Sequence, residues 1–239
     1  MNIMRNSFTV NFAGLTIGIE TISPSACVLC RDYLVDGSED FNVKICQADV
    51  DKEYEDSGEI KPSKLRAEIT AVYRKIVEGG IDYDVFLMHG AVIAVDDAAI
   101  LFTAPSGTGK TTHIKLWLQN ISDAVVVNGD KPLLRLINDQ IVACGTPWCG
   151  NENMNSNIIK PLKAIVIMKR SEDNYIEPVS FQEAYPFLLQ QTYLPKDPEK
   201  AKKVLSLLLK LNKRVSFYRF YFNNYKCDCF NTAYRALFN

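Results

Sequence analysis

Eight consecutive residues limit this chain more than any other feature: Ala104-Pro105-Ser106-Gly107-Thr108-Gly109-Lys110-Thr111, set between an apolar run and an amphipathic one. Gly107 and Gly109 let successive backbone N–H groups turn inward around phosphate oxygens, and a helix starting beside them would aim its positive end at the same point. Lys110 can reach the β and γ phosphates of a nucleotide, and the Thr111 hydroxyl can ligate Mg²⁺. The stretch is a phosphate-binding loop in all but its first glycine, whose place Ala104 takes. That position mainly needs a small side chain at a strand end. Such a loop works only with a buried strand before it and a helix after it, so the pattern predicts an α/β fold.

The rest of the chain supplies that setting. Val85–Val95 and Ala98–Ala104 are apolar runs separated by Asp96-Asp97, which predicts a hairpin, and Thr111–Asn120 follows as a helix. Ala124–Val127 and Pro161–Met168 read as buried strands, with Leu133–Leu136 and Ile141–Cys144 as short strands around Asn138-Asp139. The last third predicts helix Phe181–Gln191, helix Glu199–Leu211, strand Val215–Phe222 and a terminal helix Cys229–Phe238. Upstream, the alternation over Ser7–Glu20 predicts a strand or hairpin around Gly14. Residues 31–60 read as a solvated acidic loop around one strand, Phe41–Gln47, and Lys64–Glu78 as a helix ended by Gly79-Gly80. The expected division is a small β-rich region with a linker helix over residues 1–83 and a larger α/β domain over 84–239.

Composition excludes several function classes. With 27 basic and 28 acidic residues the net charge is −1, which argues against a general nucleic-acid binder. Apolar stretches such as Val204–Leu209, which Ser206 interrupts, are too short to span a bilayer. Met1–Glu20 breaks its apolar residues with Asn2, Asn6, Asn11 and Glu20, so no signal-peptide core is expected there. Seven cysteines then read as reduced thiols in a cytoplasmic protein. Cys27, Cys30, Cys227 and Cys229 could together offer four thiolates to zinc. The first pair lies in an apolar run and Cys-x-Cys is a poor zinc knuckle, so free thiols are expected. In the basic segment Lys196–Arg214, Val204, Leu205, Leu208 and Leu211 form a buried stripe that turns the lysines to solvent; docking of an acidic peptide is the other reading.

Outside the loop the sharpest candidate is Asp130, at the carboxyl end of the run Ala124–Val127 and the residues Asn128-Gly129. Ligands bind at such strand ends in α/β sheets. Asp130 could hold Mg²⁺, directly or through water, or accept the proton of an attacking hydroxyl; it could also be only a turn residue before Lys131-Pro132. His89, flanked by Phe86, Leu87, Met88 and Ala91, is either a hydrogen-bonded core histidine or a group facing the phosphates, and His113 reads as a helix-surface residue. Thr146-Pro147-Trp148-Cys149-Gly150 opens a loop, Gly150–Asn157, of the kind that positions substrates or closes over sites. Trp148 is an aromatic platform or a buried ring. Arg135 and Lys160 are candidates for holding acceptor or phosphate charge.

The order of these motifs resembles a known family. His89-Gly90-Ala91-Val92 on a strand, then a hairpin, the phosphate loop and a strand closing in an acid resemble the HPr kinase/phosphorylase family. Pro105–Thr112 also looks like ATP-dependent phosphoenolpyruvate carboxykinase, which shares that core. That enzyme is much longer and needs further His and Lys ligands for a second metal, whereas this chain has only His89 and His113. Asp130–Arg135, Gly145–Gly150 and Pro161–Val166 are similar to a subgroup of small HPr-kinase-like proteins, some of which phosphorylate a serine of a precursor peptide in lasso-peptide clusters. The resemblance covers roughly residues 60–238. It implies a P-loop kinase core of HPr kinase/phosphoenolpyruvate carboxykinase type with a mixed sheet, forming the catalytic domain 84–239. It implies ATP and Mg²⁺ as cofactors and transfer of the γ-phosphate to a serine hydroxyl of a peptide or protein. On that basis Ser106, Gly107, Thr108, Gly109, Lys110, Thr111 and Thr112 hold the nucleotide, Thr111 and Asp130 the metal, and Asp130, Lys110 and His89 are catalytic. Neither nucleic acid nor membrane is an expected partner, and the chain could assemble with copies of itself. The family's Asp-Asp pair is Gly129-Asp130 here. This keeps two alternatives open: a nucleotide-binding regulatory or scaffold protein with decayed catalysis, and a kinase of a small-molecule hydroxyl.

Overall fold

In a computed structural model of the protein, which describes residues 6–238, Ser7–Phe12 (β1) and Leu15–Glu20 (β2) form an antiparallel hairpin. Met1–Arg5, part of the stretch read for a signal core, and Asn239 lie outside the described residues. Ala13 (φ 55°) and Gly14 (φ 73°) both take the left-handed conformation that a tight two-residue hairpin turn demands. Phe8, Val10, Phe12, Leu15, Ile17 and Ile19 are buried, so the alternation in the sequence is the inward face of this ribbon. After the short helix α1 (Ser25–Leu29), β3 (Phe41–Lys44) joins β2 in parallel. It ends before the expected Gln47 because Cys46 and Asp49 form a capping box, with Asp49 Oδ2 accepting from Cys46 N at 2.9 Å, that starts α2 (Gln47–Glu55). The sequence predicts a solvated acidic loop for this stretch. Only Val50 of α2 is buried, too faint an apolar stripe to stand out among the charges.

The third helix, α3 (Lys64–Gly80), is capped by Ser63, whose side chain accepts from Arg66 N. It buries Ala67, Ala71, Val72, Ile76 and Val77, whereas Leu65, expected on the same stripe, is exposed. Glu68 is buried with them, because its carboxylate accepts from Ile22 N (2.8 Å), Ser23 N (2.9 Å) and Ser23 Oγ (2.6 Å). Three donors offset the cost of burying a charge. The chain divides into two compact units, Met1–Tyr83 and Asp84–Asn239.

In the second unit the run Val85–Val95 is not one strand. It breaks at Met88-His89-Gly90 into β4 (Val85–Leu87) and β5 (Ala91–Val95), and β5 makes the expected hairpin with β6 (Ala98–Thr103). Gly90 permits the break: a Cβ there would lie 2.9 Å from Phe102 O. Helix α4 (Lys110–Asn120) and β7 (Val125–Asn128) follow. Then β8 (Leu133–Ile137) and β9 (Gln140–Cys144) form a hairpin whose turn residues Asn138 (φ 47°) and Asp139 (φ 64°) are both left-handed. The long β10 (Ile159–Arg170), the unpredicted β11 (Tyr175–Pro178), α5 (Phe181–Gln191), α6 (Pro198–Lys210), β12 (Ser216–Phe222) and α7 (Cys229–Phe238) complete the chain. The sheet has nine strands in the order β4-β8-β9-β10-β6-β5-β7, with β12 on β10 and β11 on β12.

Strand directions decide what meets at the site. β10 pairs in parallel with β6 and with β12. β5 runs antiparallel to β6, and β7 antiparallel to β5, so β7 runs in the same sense as β6. The carboxyl ends of β6, β7, β10 and β12 therefore lie at one end of the sheet, together with the start of β5. The glycine loop 104–111, Asp130, Arg170, Asn224 and His89 are the residues at those five ends.

Trp117 and His113 of α4 pack into a core with Phe102, Phe220 and Phe230. His113 is thus fully buried, contrary to its expected place on the helix surface. One helical turn separates it from Trp117, whose Nε1–H donates to His113 Nε2 at 3.0 Å, so an inward histidine has its partner supplied by the next turn. Burial pushes its pKa down to about 3, with a hydrogen bond to Asn224 acting weakly against that. A histidine that is neutral when folded and ordinary when unfolded contributes stability fully above the unfolded pKa of about 6.5 and loses it as pH falls toward 3, at up to about 1.4 kcal/mol per unit. Urea denaturation should therefore show a loss on the order of 1 kcal/mol between about pH 6.5 and about pH 5.5. His113→Gln should flatten that dependence; an equal loss in the variant would assign it to other groups.

Candidate functional site

The loop after β6 has the curl that its sequence predicts. Gly107 (φ 75°) and Gly109 (φ 116°) are both left-handed, and α4 begins at Lys110. Thr108 closes a turn onto Pro105 O through its N–H (3.3 Å) and its Oγ1 (2.8 Å). The side chain of Lys110 folds beneath the loop, with Nζ donating to Ala104 O at 2.8 Å and Pro105 O at 3.4 Å, and only 8% of the residue is exposed. Burial lowers the pKa of this ammonium, and the nearby charge of Asp130 works against that. The first turn of α4 offers N–H groups without partners in the helix, so the concave side of the loop is a place for an anion.

Asp130 follows β7 in a turn built by Asn128. The buried Asn128 accepts from Asp130 N (2.9 Å) and Lys131 N (2.7 Å) through Oδ1, and its Nδ2 donates to Thr146 O (2.9 Å) and Thr146 Oγ1 (3.0 Å). That turn aims the Asp130 carboxylate at His89, whose Nε2 lies 3.1 Å from Asp130 Oδ1, while His89 Nδ1 lies 2.9 Å from Gln191 Oε1. Backbone bonds fix the same contact, with His89 N donating to Gln191 O (2.7 Å) and Gly90 N to Asp130 O (2.9 Å). Both side chains of the His89–Asp130 pair are 28% exposed, so a substrate can reach them. Burial pushes the Asp130 carboxyl up, but the His89 hydrogen bond and the Lys131 charge (Nζ to Oδ2 3.5 Å) outweigh it and hold the pKa below the usual carboxylate range. The carboxylate is therefore ionised at neutral pH.

The loop Gly150–Asn157 walls this site and is tied down. Gly129 N donates to Met154 O at 2.9 Å and Ser156 N to Val127 O at 3.2 Å, and Lys115 of α4 pairs with Glu152 at 2.8 Å. This packing explains Gly129. Its backbone is not left-handed, but a Cβ there would meet Cys149 O at 3.0 Å and Met154 O at 3.3 Å. Gly129→Asp should therefore destabilise the fold by about 1–3 kcal/mol, because two backbone carbonyls must move to admit the side chain. A thermal melt equal to that of the natural protein would show that the loop yields freely.

Other sequence candidates lie elsewhere. Lys160 donates to Asp96 O (3.0 Å) and Asp97 Oδ1 (2.9 Å) at the β5–β6 turn, the opposite end of β6 from the glycine loop. Arg135 sits within β8 and bears on the buried Cys144. Among the described residues no group of three or more His, Cys, Asp or Glu could hold a metal ion. No helix among them is long and apolar enough to cross a membrane. Gln191, Asn128, Arg170 and Asn224 were not singled out from sequence. Asn128 carried a readable signal, an asparagine two residues before the acid of a turn; the others depend on strand ends meeting in space.

No family model matches the chain, and no curated protein matches it in sequence. Among solved structures it is similar to the HPr(Ser) kinase/phosphatase from Coxiella burnetii at 10% identity and a TM-score of 0.39, covering 63% of this chain and 95% of that one. Nothing about activity, substrate or residue roles passes from a likeness of that size to this protein.

Proposed function

We propose that the protein is an ATP-dependent kinase that transfers the γ-phosphate to a serine hydroxyl of a peptide or protein. The observation that carries this reading is the meeting, at one end of one sheet, of a glycine curl ending in Lys110 with an ionised, partly exposed carboxylate, Asp130, held by His89. Phosphoryl transfer asks for charge neutralisation and alignment more than for covalent help. Lys110 and the loop N–H groups face the transferring oxygens in this scheme. Asp130 orients the attacking hydroxyl and takes up its proton late, when the forming bond has made that proton acidic, so a lowered pKa is no obstacle. His89, braced by Gln191 at Nδ1, holds the carboxylate in place through Nε2.

The donor set suits Mg²⁺, which is commonly held by one or two carboxylates, substrate phosphates and water rather than by an all-protein cage. The Thr111 hydroxyl and Asp130 would hold it, and when bound it supplies neutralisation of the β and γ oxygens. The second reading, a nucleotide-binding protein that transfers nothing, draws on Gly129, where backbone fills the space of a second carboxylate.

Incubation with labelled ATP, Mg²⁺ and a panel of seryl peptides, proteins and small alcohols, followed by mass spectrometry, separates the readings. Phosphoserine on a peptide or protein is the expected product. Label on a small-molecule hydroxyl would redirect the acceptor, and tight ATP binding with no transfer to anything would establish the second reading.

A further inference from the structure

The phosphate loop does not keep its curl alone. Arg170, the last residue of β10, donates Nη2–H to Gly107 O at 2.7 Å and Nε–H to Thr108 O at 2.9 Å. One edge of a rigid guanidinium thus spans two successive carbonyls on the outer side of the loop. From the end of β12, Asn224 Nδ2 donates to Gly109 O at 3.2 Å. Across a trans peptide the carbonyl and the next N–H point to opposite sides. Anchoring Thr108 O and Gly109 O outward therefore turns the N–H groups of Gly109 and Lys110 to the concave side, where an anion would lie.

We propose that Arg170 is a positioning residue for polyphosphate binding, its fork holding the Gly107–Gly109 backbone in the phosphate-accepting curl, with Asn224 as a second anchor. This rests on the nucleotide reading above. The need for an anchor follows from the loop's own freedom. Gly107 has nothing within 4 Å of where a Cβ would be, and two left-handed glycines can adopt many other conformations. A loop that spends only a fraction of its time in the competent curl loses affinity by that fraction. Arginine suits the task because its planar fork reaches both carbonyls at once, which a lysine ammonium on a flexible stem cannot do.

The test is calorimetric titration of Mg·ATP and of Mg·ADP into the full chain, for the natural protein, Arg170→Lys and Arg170→Met, each accompanied by a thermal melt. Arg170 is exposed at a strand end, so both variants should melt within a few degrees of the natural protein. Both should bind either nucleotide at least about tenfold more weakly, with lysine no better than methionine. In the nucleotide-free protein, amide hydrogen exchange should rise over residues 106–111 and stay unchanged in β6 and the interior of α4. Full affinity in Arg170→Lys would show that charge suffices and overturn the fork; full affinity in Arg170→Met would overturn any role while leaving the nucleotide reading intact. If the natural protein binds neither nucleotide, both readings fall together. Should Arg170→Met melt early, the lysine variant alone decides.

Discussion

Asp130→Asn is expected to lower kcat by about 10²–10⁴-fold, the usual worth of a positioned base, and to cost less in nucleotide affinity than in kcat. The substitution is nearly isosteric, and the asparagine oxygen can still receive a hydrogen bond from His89 Nε2, so the turn set by Asn128 should persist. What it removes is the negative charge and the proton-accepting oxygen. With Gly129 closed against Cys149 O and Met154 O, no second carboxylate stands beside Asp130 on that turn to take over. Because neighbours hold the Asp130 pKa below the ordinary carboxylate range, the natural protein should keep its rate as pH falls through about 5 and lose it only at lower pH, an acid limb that the variant should lack. Single-turnover rates and equilibrium nucleotide titrations separate the two effects. An unchanged kcat would make Asp130 a turn residue and send the search for the base elsewhere.

The parts of this site that were legible in the sequence are those whose chemistry is local. The loop's glycines, its lysine and the following helix are neighbours in the chain, and the acid at the end of β7 is marked by its apolar run. What joins them is the antiparallel placement of β5 between β6 and β7, which brings the start of β5, with His89, to the carboxyl ends of its neighbours. Residue patterns within single strands do not specify that order. Arg170 and Asn224 were missed for the same reason, since each meets the loop only because β10 and β12 run parallel to β6. His113 failed differently. Its polarity pointed outward by the ordinary rule for surface histidines, and the tryptophan one turn later, able to supply a hydrogen bond inside the core, was the signal that should have weighed more. Helix α2 hid because it buries one residue, so a capping box and not an apolar period announces it.

Lys110→Ala should nearly abolish phosphoryl transfer in a protein that remains folded. The side chain belongs to the loop and not to the apolar core: its ammonium rests on Ala104 O and Pro105 O and packs no hydrophobic stripe. Removing it costs two hydrogen bonds but also relieves a buried charge whose pKa is already depressed by burial, so the two contributions to stability oppose each other. Catalysis has no such compensation. A fixed positive charge aimed at oxygens that gain negative charge during transfer is worth on the order of 3 kcal/mol, hence at least about a hundredfold in rate. Lys110→Arg should not restore it, because the pocket under the loop holds a compact ammonium between two carbonyls and a planar guanidinium would displace the turn that Thr108 closes. Lys110→Met keeps the length of the stem and should match alanine, which isolates charge from volume. The comparison is made on protein shown by a thermal melt to be folded, with turnover and Mg·ATP affinity measured side by side. Turnover at the natural rate in a folded alanine variant would remove the phosphate-loop assignment, and with it the kinase reading built on it.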